Sequence, residues 1–144
     1  MESIIEQFCK ALSSLDPKDD ELVSHLYDLT DLLEGASEIS TTFGPIFCFI
    51  ESNPESDLGS PGPLVHLLED HFPKYVSRLI ESIENKPTSI AVFMLNRILN
   101  SGLSTETRAK YMSLLASVAN NENANTTTKE EAQGFYVHQT NQSS

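Results

Sequence analysis

The chain has 144 residues, 39% of them hydrophobic, and a formal net charge of −12 from twenty-one Asp/Glu against nine Lys/Arg. A chain this long fits one domain with a real core, since it buries roughly two-thirds of the surface it would expose unfolded. Its charge argues against nucleic acid and anionic membranes as direct partners, because phosphate binding depends on Lys and Arg, and no run nears the ~18 apolar residues of a membrane span.

The charge is uneven: residues 1–72 hold fifteen Asp/Glu and two Lys, whereas residues 73–144 hold six Glu and seven Lys/Arg. Such a half-molecule steers a basic protein partner toward itself, although carboxylates also serve simply to solvate helix faces. The two cysteines, Cys9 and Cys48, sit in apolar helical stretches. They make neither a metal set nor a disulfide framework, and both are read as buried small hydrophobes. "MESIIEQFCK" lacks the basic start and apolar run of a leader, so a cytoplasmic protein is expected.

Taken in chain order, Ile4, Ile5, Phe8, Leu12 and Leu15 recur at helical spacing. Ser3 is the predicted N-cap, with Glu6 as its capping-box partner, and Pro17 breaks the chain. A second helix is predicted over about 20–34, with Leu22, Val23, Leu26, Leu29 and Leu33 inward, Glu21, Asp28, Asp31 and Glu34 outward, and Gly35 as its stop. "TTFGPIFCFIESNP" reads as a short helix, apolar all round and therefore central and buried. The loop "NPESDLGSPGP" follows, its glycines freeing φ and its prolines fixing it. Pro63 opens a helix carrying Leu64, Val65, Leu67 and Leu68, which ends near Phe72 because Pro73 follows.

An amphipathic helix carries Tyr75, Val76, Leu79, Ile80 and Ile83. "TSIAVFMLNRILNSG" is nearly all apolar and stops at Gly102. Ser104 caps a helix with Tyr111, Leu114, Leu115 and Val118 on one face. A last helix begins at Thr127, carries Ala132, Phe135 and Tyr136, and gives way to a frayed tail over 139–144. No sustained period-2 alternation occurs. The expected fold is all-α: a single domain over 1–138 of seven to eight short antiparallel helices, as a compact bundle or a short HEAT-like α-solenoid.

Catalytic and metal patterns are sparse. In "HLLEDH", His66 and Glu69 share a helix face and Asp70 is a turn from His66, yet neither H-E-x-x-H nor H-x-x-E-H is present. His25 lies among leucines and reads as a hydrogen-bonded helix residue. His138 is a lone histidine. No nucleophile elbow, P-loop or dinucleotide fingerprint is found, so no catalytic residue, metal or cofactor is expected. Asn96, Arg97 and Asn100 stand in the most apolar helix, where polar groups need partners. The expected partners are carbonyls of the shaped loop 53–63, docked against that helix.

The segments "IFCFIESNPESDLGSPGPLVHLLE" and "YVSRLIESIENKPTSIAVFMLNRILNS" resemble a family of small helical bacterial immunity proteins, encoded beside polymorphic toxins that include those of contact-dependent growth inhibition systems. The likeness runs from about Ile46 to Ser101 and rests on Asp57, Gly59, Pro61, Gly62, Pro63 and His66, then on Pro87 with Asn96, Arg97 and Asn100. It implies a non-enzymatic protein that binds and blocks a cognate toxin C-terminal domain, one-to-one, in the cytoplasm. It also implies that the shared motif maintains the fold while variable faces carry specificity. A basic nuclease, an RNase ahead of a DNase, fits an acidic inhibitor. The candidate contact residues are Asp28, Asp31, Glu34 and Glu38 on the second helix and its exit, with Glu51, Glu55 and Asp57 beside the loop. The alternative is a helical-repeat adaptor that binds a non-toxin protein through the same surface.

Overall fold

The computed structural model describes residues 3–142. Among them are eight α-helices, two short 3-10 turns and no strand. Contacts divide the chain into two compact units, Met1–Arg78 and Leu79–Ser144.

The first unit contains α1 (Ile4–Ser13), α2 (Leu22–Asp31), α3 (Phe43–Ser52) and α4 (Pro63–Glu69). The Glu6 N–H donates to Ser3 Oγ at 3.1 Å, so the predicted cap closes α1. Phe8 and Leu12 turn inward from α1, which packs on α2 and α3, and α2 packs on α4. α2 is shorter than predicted. The chain leaves it at Leu32 through successive turns and passes Gly35 at φ +77°, in the left-handed region glycine tolerates. α3 buries Phe43, Ile46, Phe47, Phe49 and Ile50. α4 also stops early, at Glu69, and turns carry the chain past Pro73 to the buried Tyr75.

The loop before α4 closes on itself. Gly59 and Gly62 have φ +112° and +94°, and a Cβ on Gly62 would fall on the Leu58 carbonyl oxygen. Asp57 Oδ1 accepts from the Gly59 N–H at 3.0 Å, Leu58 is buried, and Pro63 takes the first helical position.

One unit gives way to the other within α5 (Val76–Asn85). The second unit contains α6 (Ser89–Leu99), α7 (Thr105–Ser117) and α8 (Thr126–Gln142), with α6 packed on α7 and α8 and α7 on α8. Thr88 and Ser104 cap α6 and α7 through the N–H groups of Ala91 and Thr107. α6 buries Ala91, Val92, Met94, Leu95, Ile98 and Leu99. Asn125 Oδ1 accepts from the Thr128 N–H at 2.8 Å, so α8 starts slightly earlier than expected. The frayed tail is corrected as far as Gln142: α8 continues to that residue and Gln139 is buried, while residues 143 and 144 lie outside the described residues.

Candidate protein-binding surface

The boundary between the units is also a boundary in charge. Residues 1–78 carry fifteen Asp/Glu against four Lys/Arg, and residues 79–144 six against five. Asp28, Asp31, Glu34 and Glu38 are all exposed on α2 and its exit. Glu38 holds φ +62°, a left-handed conformation awkward for a side-chain-bearing residue.

Asp31 and Glu34 line an open depression of about 560 Å³ between the exit of α2 and α4, together with exposed Asp70, His66 and Tyr27. Its apolar lining includes buried Leu33, Ile39 and Pro63 and half-buried Ala36 and Leu67. His71, also in the lining, sets its ring 6.3 Å from that of Phe43. Leu32 and Phe72, chain neighbours of lining residues, are 46% and 48% exposed. Sequence reasoning missed Tyr27 as a surface residue. The signal was there, because Tyr27 and Asp31 are four apart and share the outward face of α2.

Glu55 and Asp57 belong to a different depression, lined also by Asp19, Asp20 and Lys18. His25 is a helix residue with a partner: its Nε2 lies 3.3 Å from Asp19 Oδ2. Glu51 differs from the other candidates. It is half-buried, its Oε2 accepts from Arg78 Nη1 at 3.2 Å, and the Arg78 guanidinium also lies over the Phe47 ring. Its charge is thus balanced inside the unit, a partnership that 27 residues of separation hid from the sequence.

The cysteine reading is corrected. Cys48 is exposed, with Arg78 Nη2 3.7 Å from its sulfur, and Cys9 is half-buried, where burial pushes its thiol up from the usual value. α3 is apolar all round, but one face of it reaches solvent.

The expected partners of the α6 amides are corrected too. Gln139 Nε2, on α8, donates to Asn96 Oδ1 at 2.7 Å and to Asn100 Oδ1 at 2.9 Å. Arg108 Nη2 donates to the Gln139 carbonyl and to its Oε1, and Nη1 to the Leu99 carbonyl. The Arg97 guanidinium lies over the Phe93 ring. Gln139 and Arg108 thus tie α6, α7 and α8 together, and the shaped loop is held within the first unit, by Asp57 Oδ1 on the Gly59 N–H and by the Ser56 hydroxyl on the Pro17 carbonyl. Of the other motif residues, Pro87 is buried and His66 is exposed.

Among the described residues no group of three or more His, Cys, Asp or Glu is placed to hold a metal ion, and no helix is long and apolar enough to cross a membrane. Comparison with protein-family models, curated proteins and solved structures returned no match. The arrangement on the first unit offers a carboxylate-bordered, partly apolar concavity, a chemistry suited to binding a cationic protein surface.

Proposed function

We propose that the chain is an immunity protein that binds the toxin domain of a cognate bacterial polymorphic toxin and blocks it one-to-one through the acidic surface of residues 1–78. The observation that carries this reading is the coincidence of the charge asymmetry with the unit boundary, fifteen carboxylates against four cations on one side of Arg78 and six against five on the other. A nuclease must hold phosphates with Lys and Arg, so an inhibitor of opposite sign can cover its working surface and reach it quickly. The resemblance of 46–101 to immunity proteins supplies the toxin as the partner, and a basic nuclease, an RNase ahead of a DNase, is the target class.

The test is co-expression with the toxin domain encoded beside this chain. Cells survive, and the two proteins elute as a one-to-one complex. Reversing charge at Asp28, Asp31 and Glu34 slows association and flattens its dependence on salt. An intact chain that neither protects cells nor forms the complex overturns the reading.

A further inference from the structure

The depression between the exit of α2 and α4 combines two chemistries. Leu33 and Ile39 are buried and Leu67 half-buried in its lining, so part of its wall is apolar. Asp31, Glu34 and Asp70 are exposed, so its edge is anionic, and Tyr27, 46% exposed, adds an aromatic face. Among the described residues no cation is paired with those three carboxylates. The volume, about 560 Å³, falls in the roughly 300–1,000 Å³ range of clefts that hold a ligand.

We propose that this depression is the docking site for an arginine side chain of the basic partner. This rests on the binding role given above and names the place and the residue chemistry. An arginine lays its methylene stem on apolar surface and keeps its charged end at the edge. Its planar guanidinium bonds carboxylates bidentately and stacks on aromatic faces, which a compact, strongly hydrated ammonium does less well. Leu33, Ile39 and Leu67 take the stem, Asp31, Glu34 and Asp70 the fork, and Tyr27 the cationic face. The second acidic depression, around Asp19, Asp20, Glu55 and Asp57, has Lys18 in its lining and is the less favourable receptor.

The experiment is an NMR titration of the isotope-labelled full chain with a capped nona-arginine peptide, and with nona-lysine for comparison. The largest amide shifts fall in 27–36 and 63–71, and the arginine peptide binds at least about threefold more tightly than the lysine one. Removing charge at the site (Asp31→Asn, Glu34→Gln, Asp70→Asn) weakens arginine-peptide binding about tenfold, whereas the same change elsewhere (Glu6→Gln, Asp20→Asn, Glu21→Gln) weakens it less than about twofold. Thermal unfolding shows that both variants remain folded. Shifts centred on Asp19, Asp20, Glu55 and Asp57, equal losses in the two variants, or no preference for arginine overturn the proposal. The protection assay separates the two readings. Arginine binding in the depression without protection supports the docking site and removes the immunity role alone, and protection with shifts elsewhere removes the docking site alone.

Discussion

Ser82 on α5 is 1% exposed, and among the described residues its hydroxyl has no hydrogen-bond partner. A buried hydroxyl without a partner carries its desolvation cost uncompensated. Ser82→Ala therefore raises stability by about 1 kcal/mol, visible as a higher urea midpoint at unchanged slope. The cysteines give a second prediction at this scale. Alkylation requires the thiolate. Burial raises the Cys9 thiol, so its thiolate is scarce at neutral pH and grows only as pH climbs beyond the usual thiol range. Exposed Cys48 is alkylated first by iodoacetamide at pH 7.5, and Cys9 follows at higher pH or on unfolding, as peptide mass mapping will show. The misreading of Cys48 has a plain cause. An apolar run announces burial on average, but it does not say which turn of a three-turn helix is left uncovered.

At the scale of elements, the loop before α4 and the amide clamp on α8 are the two devices that hold local structure in place. Gly62 is required twice, for its φ of +94° and because a Cβ would strike the Leu58 carbonyl. Gly62→Ala destabilises by roughly 3 kcal/mol, the cost of strain and displaced backbone, measured by chemical unfolding. Gln139 is buried and serves Asn96, Asn100 and Arg108 at once. Gln139→Leu costs about 2 kcal/mol because the asparagine acceptors lose their donor, and a double-mutant cycle with Asn96→Ala shows coupling of about 1 kcal/mol. The caps at Ser3 and Ser104, and the stop near Gly102, could be read directly from the sequence, because each is a local rule acting within four residues. The partner of Asn96 could not. It lies 43 residues away, on a helix whose buried positions Thr128, Ala132 and Gln139 repeat at close to heptad spacing but are small or polar, so no hydrophobic stripe marked them.

For the whole molecule, the first unit carries fifteen carboxylates against four Lys/Arg, a field that steers cationic proteins toward it. On the proposed role, neutralising three exposed carboxylates there, Asp28, Asp31 and Glu34, lowers the association rate with the proposed toxin-domain partner about tenfold at low salt, and neutralising Glu106, Glu122 and Glu130 in the second unit leaves it within about twofold. Stopped-flow measurements over a series of salt concentrations check both arms. The all-helical class, the number of helices and the lopsided charge were determined by the sequence alone, because periodicity, caps, breakers and ionisable residues are local properties of the chain. Only the tertiary structure decided that the charge boundary falls at the edge of a structural unit, that Glu51 is neutralised by Arg78, and that Tyr27, Asp31, Glu34 and Asp70 line one depression with Leu33 and Ile39. Those facts depend on which helices pack together. Packing brings into contact residues that are dozens of positions apart, and no short-range pattern records such a meeting.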